Sequence, residues 1–184
     1  MFSEKAIVIA LTADIDNADL FSKALLEIKA SPQLIPLGLG DDGRERFTTQ
    51  TMIDLESSIE KIADQLAQKN HQRLGKSAIE HELARYEKST GKTLTTEQRH
   101  AVKHLLDKNS ISCLVGRAGT GKSFSLGAAH AVWQAKKLTV HGIALSGIAA
   151  DGLARDAGIA ARTIESFRLA LEKGNLFLNK QSVV

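Results

Sequence analysis

One pattern constrains the fold of this 184-residue chain more than any other, and it lies at residues 116–123. It reads Gly-Arg-Ala-Gly-Thr-Gly-Lys-Ser, which is the pattern Gly-x-x-x-x-Gly-Lys-Ser. The short apolar run 111–115 precedes it, and residues 122–135 continue it with apolar side chains at helical spacing. This order predicts a strand, a glycine loop and a helix. A glycine-rich surface turn is the alternative, but such a turn does not require a strand and a helix on its two sides.

The glycines of this loop allow the backbone to fold back on itself without a side chain in the way. Successive N–H groups from Gly119 to Ser123 can then converge on one polyphosphate. Lys122 would reach the β- and γ-phosphates, and the Ser123 hydroxyl would supply one ligand of Mg²⁺, so both are candidate catalytic residues. The predicted nucleotide-binding residues of this segment are Gly116, Ala118, Gly119, Thr120, Gly121, Lys122, Ser123 and Phe124.

Gln98 lies one predicted helix upstream of the loop and permits two interpretations. Thr95-x-x-Gln98 is a capping box, which needs no ligand to explain it. A glutamine amide can also pair with the N6 donor and the N7 acceptor of adenine. The residues themselves leave both roles open, and the cap is the simpler local explanation.

The segment after the loop predicts an α/β fold with a parallel sheet. Residues 138–145 read as a second strand, and two strands joined by a helix of this length form a parallel βαβ unit. Ser146 and Gly147 then open a helix, and a further helix begins at Thr163. Ligands gather at the carboxyl ends of parallel strands, so the Ser146 loop is expected beside the first loop; an ordinary turn capped by Ser146 is the alternative. Residues 182–184 read as the start of a further strand.

The first part of the chain predicts a mainly helical accessory module with a β-hairpin. Residues 6–11 favour a helix weakly, and residues 17–29 form a clear amphipathic helix. Two short extended runs then flank the turn 40–43, as in a hairpin. We expect a small winged-helix-like module over residues 1–47 and a helical connector over residues 48–93, with a looser stretch at residues 70–76. Arg44 and Arg46 on the hairpin are either solvated charges or contacts to a phosphate backbone, and the former is favoured.

Composition limits the class of protein more weakly. A hydrophobic content of 43% supports a packed core, and a net charge of +3 permits nucleic acid as a partner. The single cysteine, Cys113, is expected to be buried within the first strand. His100 and His104 stand one turn apart without further ligands nearby, so no metal site is predicted there. No signal peptide or membrane span is recognisable, which predicts a cytoplasmic protein.

Four segments together carry a family resemblance, and they arrive in a characteristic order. They are Leu94-Thr95-x-x-Gln98, residues 116–123, the run Ala-Leu-Ser-Gly-Ile-Ala-Ala at 144–150, and Arg162-Thr163-Ile164. In this order they resemble superfamily 1 helicases, and specifically the helicase part of conjugative-transfer relaxases of the TraA type. Residues 44–49 and the helix after them also resemble the segment that precedes the helicase in those proteins.

The resemblance implies roles that spacing alone does not. It implies that Gln98 recognises adenine. The nucleotide is then ATP, bound together with the Mg²⁺ that the Ser123 hydroxyl would hold. It also implies that Ser146 and Gly147, which match motif Ia, and Thr163, which matches motif Ib, touch the backbone of single-stranded DNA. Such contacts suit a chain in which only 4% of residues are aromatic. The partners it implies are single-stranded DNA and other conjugation proteins.

The sequence also departs from this family. No apolar run downstream of Lys122 ends in Asp-Glu, and the only tyrosine is Tyr86, so the relaxase tyrosine and histidine cluster is missing. We therefore expect residues 94–184 to be a truncated P-loop NTPase (RecA-like) helicase domain 1A that ends before the Walker B strand. Such a chain would bind ATP and hydrolyse little of it. Another P-loop phosphotransferase or kinase, and a passive DNA- or protein-binding module with an idle nucleotide loop, are the alternatives.

Overall fold

The computed structural model describes residues 1–69 and 75–184, which form two units, Met1–Leu66 and Ala67–Val184. Most of the looser stretch predicted at residues 70–76 lies outside the described residues. Both units combine helices with short strands, as the α/β expectation requires. In chain order the elements are β1 (Phe2–Ser3), α1 (Glu4–Asp14), α2 (Ala18–Ala30), β2 (Leu34–Leu39), β3 (Glu45–Thr49), α3 (Gln50–Gln68), α4 (Lys76–Thr90), α5 (Thr96–Leu105), α6 (Lys122–Ala135), β4 (Thr139–Val140), β5 (Gly142–Ala144), α7 (Gly147–Ala157), β6 (Ala161–Thr163), α8 (Ile164–Glu172) and β7 (Ser182–Val183).

The first unit contains the predicted helices and hairpin. Strands β2 and β3 pair antiparallel, and β1 joins the other edge of β3. Gly40 closes the hairpin turn, because its N–H donates to the carbonyl of Arg44 at 2.8 Å. Asn17 caps α2 by accepting from the N–H groups of Asp19 and Leu20, both at 3.0 Å. The hairpin and the helices α1 and α2 are therefore confirmed.

The helix after the hairpin begins two residues later than its apolar pattern suggests. Thr48 and Thr49 pair with Ile35 and Leu34 of β2, so their backbone groups belong to the sheet. The Thr49 hydroxyl then accepts from the N–H of Met52 at 3.3 Å and serves as the first cap of α3. Sheet pairing thus decides where the connector helix starts.

The core of the second unit is made by α4, α5 and α6. Leu83, Val102 and Val132, one from each of these helices, are fully buried. Full burial of such a side chain contributes roughly 1.5–3 kcal/mol, so this cluster fixes α6 against its two neighbours. The buried cluster comprises Ile79, Leu83, Leu94, Val102, Leu106, Ala128, Ala129 and Val132.

Two short parallel pairs follow α6. The strand predicted at residues 138–145 is present as two pieces, β4 and β5, with His141 between them. β4 pairs with β7, which confirms the strand predicted at residues 182–184, whereas β5 pairs with β6. The helix α7 connects β5 to β6, so these three elements form a parallel βαβ unit. The unit expected from the strand at residues 111–115, the helix after it and the strand at residues 138–145 is not the one present.

The strand predicted at residues 111–115 is wrong. Residues 111–117 have no regular secondary structure, and Val115 is 92% exposed. Cys113 is also exposed, so its predicted burial is wrong too. A strand exists only when a neighbour shares its hydrogen bonds, and within the described residues both parallel pairs are formed by other segments. The apolar run therefore enters the glycine loop as an extended, partly open segment.

Candidate functional site

The glycine loop forms a tight turn between the extended segment and α6. Gly121, its last residue, has φ +79°, a conformation that favours glycine. Gly116, its first, leaves no room for a side chain, because a Cβ there would lie 2.8 Å from the Thr120 hydroxyl oxygen. The glycines therefore permit both the bend and the close approach of its two ends. Of the predicted residues, Gly116, Ala118, Gly119 and Thr120 are exposed, and Gly121, Lys122, Ser123 and Phe124 are half-buried.

The start of α6 is left without a side-chain cap. Gly121 precedes the helix and has no side chain that could cap it, and its carbonyl oxygen accepts the first intrahelical bond, from the N–H of Ser125 at 3.0 Å. The N–H groups of Lys122, Ser123 and Phe124 thus lie in a first turn, where a helix supplies no acceptors. They carry the positive end of the helix dipole, which attracts anions. By contrast, side chains cap the starts of α5, α7 and α8.

The Lys122 side chain folds back onto the loop. Its Nζ donates to the carbonyl oxygens of Gly116 at 2.6 Å and Arg117 at 2.7 Å. The Thr120 hydroxyl donates to the same Arg117 carbonyl at 2.9 Å. The structure thus places the ammonium against the first two residues of the loop, where it closes the turn through hydrogen bonds alone. The carbonyl partners are neutral, so an anion can replace them as the partner of the Lys122 ammonium by an exchange of hydrogen bonds.

Gln98 forms the predicted capping box. Its N–H donates to the Thr95 hydroxyl at 3.2 Å, and its Oε1 accepts from the Thr95 N–H at 3.1 Å. A third contact was not foreseen: Nε2 donates to the carbonyl of Thr120 at 3.1 Å. The structure therefore brings Gln98 to the glycine loop, 22 residues further along the chain. The spacing of the capping box contains no signal for this contact.

Ion pairs fix α5, which carries Gln98, to α4. Arg99 donates to Glu80 at 2.9 Å and to both carboxylate oxygens of Glu87. The Glu87 carboxylate also accepts from the N–H of Leu94 at 2.8 Å, and these bonds, first from Leu94 and then from Arg99, lower its pKa. Lys103 and then Arg99 likewise lower the pKa of Glu80. Sequence reasoning missed this network, because its members come from two helices that meet only in the folded chain.

The ring of Phe124 faces the core. Its centroid lies 5.3 Å from that of Tyr86 on α4, and the Lys92 ammonium lies 5.9 Å from it. Burial raises the pKa of Tyr86, whose ring also lies against Gly127. Because its side chain packs with α4, Phe124 can serve a ligand at the loop only through its main-chain N–H.

The three predicted DNA-binding residues lie at the carboxyl end of the parallel strands β5 and β6, which we call the β5–β6 edge. Ala144 and Thr163 are partners in the parallel register, and both strands end there. Ser146 caps α7 by accepting from the N–H of Ala149 at 3.3 Å, and Thr163 caps α8 by accepting from Ser166 at 3.2 Å. The ordinary role predicted for Ser146, a helix cap, is therefore present. Two helix starts and the exposed Gly147 lie at this edge.

A divalent cation fits the loop only together with a phosphate. Among the described residues no group of three or more His, Cys, Asp or Glu could hold a metal ion by itself. Mg²⁺ accepts few protein ligands when phosphate and water complete its shell, and the Ser123 hydroxyl, in the first turn of α6, is of the right chemistry. His100 and His104 are both exposed. In the part of the chain that the structure describes, no helix has the length and apolar content of a membrane span.

Known proteins match this chain in two ways. The family described as AAA domain matches residues 93–184, half of the chain. The protein named conjugal transfer protein TraA from Rhizobium radiobacter and the probable conjugal transfer protein TraA from Sinorhizobium fredii are each 30% identical to the chain over 190 aligned residues, and a conjugal transfer protein TraA from Agrobacterium fabrum is 28% identical. The alignments cover 100% of this chain and 17% of each relative. The chain thus spans about one sixth of the length of these relatives.

Proposed function

The chain belongs to the AAA domain family, and from this premise we propose that it is an ATP-binding part of a superfamily 1 DNA helicase of conjugative transfer. The observation that carries the proposal is the uncapped start of α6, with the Lys122 ammonium folded onto the loop before it. Peptide N–H groups in a first helical turn, a helix dipole and a cation held by exchangeable bonds suit a triphosphate. Similarity over the whole chain to relatives named conjugal transfer protein TraA supports the conjugative setting.

In the proposed complex the triphosphate lies against the N–H groups of residues 119–123. Lys122 leaves the carbonyls of Gly116 and Arg117 and pairs with the β- and γ-phosphates. The Ser123 hydroxyl provides one ligand of Mg²⁺, and the phosphates and water provide the others. This exchange costs little, because each bond that Lys122 gives up is replaced by a stronger one to an anion.

We further propose the division of labour that the resemblance implies. Residues 94–184 form the first part of a P-loop NTPase (RecA-like) motor domain, residues 1–47 a winged-helix-like accessory module, and residues 48–93 a helical connector. On the hairpin of the module, Arg46 pairs with Asp42 at 2.9 Å, and this pairing favours solvated charges over a DNA contact for that arginine.

The proposed DNA path uses Ser146, Gly147 and Thr163. Their placement at the carboxyl end of the β5–β6 pair supports this role, because the Ser146 and Thr163 hydroxyls accept from Ala149 and Ser166 and can still donate their own O–H to a phosphate oxygen. Single-stranded DNA is the proposed partner.

The 184-residue chain is expected to hydrolyse ATP slowly. Hydrolysis requires a carboxylate that holds Mg²⁺ and another group that positions water, and the sequence downstream of Lys122 contains no Asp-Glu pair. Phosphate release in the presence of single-stranded DNA measures this directly. A rate typical of complete helicases would contradict the expectation.

Calorimetric titration with Mg-ATP tests the binding proposal. Wild type should bind, and Lys122→Ala should lose at least about tenfold in affinity, because a charge-assisted bond to phosphate is removed. Lys173→Ala, at the exposed end of α8, makes the same change in charge away from the loop and should bind like wild type. No heat with folded wild type, or equal binding by both variants, would refute the nucleotide site. If single-stranded DNA binds equally with and without nucleotide, the passive module is favoured.

A further inference from the structure

We propose that Gln98 is a positioning residue that holds the glycine loop in shape through its side-chain amide and acts on the triphosphate independently of the base. This inference rests on the proposed nucleotide site and concerns how that site is held together. It differs from adenine recognition, the role that the family resemblance implies for this residue.

Both polar atoms of the Gln98 amide already have partners on two different segments. Oε1 accepts from the N–H of Thr95 at 3.1 Å, and Nε2 donates to the carbonyl of Thr120 at 3.1 Å. The two partners define the orientation of the amide, because the first requires an acceptor and the second a donor. A glutamine that reads adenine presents both atoms together to one base edge. Here the two atoms join a helix start to a loop.

The amide lies directly against the loop backbone. A Cβ added at position 121 would collide with Nε2 of Gln98 in its present position, so the glycine allows the amide to approach the loop backbone this closely. Thr120, whose carbonyl receives the hydrogen bond, immediately precedes Gly121. The contact therefore acts where the loop turns into α6 and where the N–H groups for a phosphate begin.

The other end of this connection is anchored. Arg99, the next residue of α5, pairs with Glu80 and Glu87 of α4. Leu94, just before the capping box, is buried and donates its N–H to Glu87. Gln98 thus projects from a helix start that is fixed on both sides. A tether with one fixed end restricts the conformations of the other, which lowers the entropy lost when the loop closes on a ligand.

A positioning role and a base-reading role predict different patterns of affinity. If Gln98 orders the loop, its loss weakens every ligand that uses the loop by the same factor. If it reads adenine, its loss weakens only ATP. Inorganic tripolyphosphate, which has no base at all, therefore separates the two.

The experiment is calorimetric titration of the full chain with Mg-ATP, Mg-GTP and Mg-tripolyphosphate, for wild type, Gln98→Met and Thr95→Ala. Methionine keeps the length of the side chain without its polar atoms or any charge. We expect Gln98→Met to bind all three ligands about fivefold more weakly, because the hydrogen bond from Nε2 to the Thr120 carbonyl of the loop is lost. Thr95→Ala removes the other half of the cap and leaves the Gln98 amide in place. It should lower the melting temperature about as much as Gln98→Met does, yet bind each ligand within about twofold of wild type.

Each other result overturns the inference. A loss confined to ATP would assign Gln98 to the base, and unchanged affinities would show that the contact does not hold the loop. Equal losses in Thr95→Ala would reduce the effect to helix capping. Wild type that binds none of the ligands would refute the proposed nucleotide site and this inference with it. If Gln98→Met does not fold, Gln98→Glu keeps the capping box and removes the donor, and titration at high salt screens its added charge.

Discussion

Arg99 on α5 donates from one guanidinium nitrogen to both carboxylate oxygens of Glu87 on α4, at 2.7 and 2.8 Å. The two residues stand 12 positions apart, and their contact joins the helix that precedes the glycine loop to the unit's core. The N–H of Leu94 also donates to the Glu87 carboxylate, at 2.8 Å. The Glu87 carboxylate thus helps to position α5, and with it Gln98, beside the packing of Val102 and the ion pairs of Glu80.

Glu87→Gln should lower the free energy of unfolding by about 1–2 kcal/mol at pH 7, because Arg99 loses one of its two charged partners and keeps only Glu80. The bonds from Leu94 and Arg99 lower the pKa of Glu87. Their stabilisation is therefore complete above the ordinary carboxyl pKa of about 4.3, and it is lost as the pH falls through the lower folded value. The difference between wild type and variant should shrink over that range. Urea unfolding at pH 7 and below pH 4 measures it.

Glu82→Gln provides the control for that prediction. Glu82 lies on the same helix and pairs with the exposed Arg85 at 3.2 Å. Because Arg85 is exposed and lies on the same helix, this pair contributes little and connects no second element, so the variant should stay within about 0.5 kcal/mol of wild type. Equal losses of unfolding free energy in the two variants would show that the contact between Arg99 and Glu87 stabilises the fold no more than the pair on the helix surface does.

Much of the fold follows from local patterns. The cap at Asn17, the glycines of the hairpin turn and the capping box at Thr95 and Gln98 are local features of the chain, and the structure contains all three. Each depends on groups only a few residues apart, so the sequence alone contains the information. The glycine loop and the helix after it are predictable for the same reason.

The errors arise where a feature needs a distant partner. Residues 111–115 have the apolar character of a buried strand, but a strand needs a neighbour, and the described parallel pairs form elsewhere. The burial of Cys113 fails with it. Likewise, nothing in the spacing indicates that Gln98 reaches Thr120 or that Arg99 pairs with Glu87. These contacts exist only once three helices have packed.

The exposed Cys113 should react readily with a thiol reagent. Because the extended segment leaves this side chain open, one equivalent of thiol per chain should be modified under native conditions, at a rate within about tenfold of that of a small free thiol. Absorbance after addition of a disulfide reagent gives the rate. Reaction only in denaturant would mean that the segment is covered in solution.

Two helical glycines should respond oppositely to alanine. At Gly127 in α6, a Cβ would collide with the Tyr86 hydroxyl, so Gly127→Ala should destabilise by about 1–3 kcal/mol despite better helix propensity. At Gly152 in α7, the nearest atom would be 3.9 Å away, so Gly152→Ala should stabilise by about 0.5–1 kcal/mol. Denaturant unfolding measures both. Partial rescue of Gly127→Ala by Tyr86→Phe would identify the hydroxyl as the cause, and absence of rescue would exclude it.

His130 should make the second unit sensitive to mild acid. Burial lowers its pKa, and a hydrogen bond with the Ala157 backbone opposes this only in part. The neutral ring is therefore favoured in the folded state, so stability is complete above the ordinary histidine pKa of about 6.5 and falls as the pH drops towards the folded value. His130→Gln should flatten the melting temperature between pH 7.5 and 5.5. The exposed His81→Gln should keep the wild-type slope, and an unchanged slope in His130→Gln would contradict the assignment.

Ser146→Asp tests the proposed DNA edge without removing the helix cap. Aspartate caps a helix as well as serine does, so the melting temperature should stay close to that of wild type. The added negative charge, next to the start of α7 and the β5–β6 edge, should repel a phosphate backbone and weaken single-stranded DNA by about three- to tenfold at low salt. Fluorescence anisotropy with a labelled oligonucleotide measures the affinity. Ser77→Asp adds the same charge in the first turn of α4, and if it weakened DNA equally, the effect would come from net charge and not from this edge.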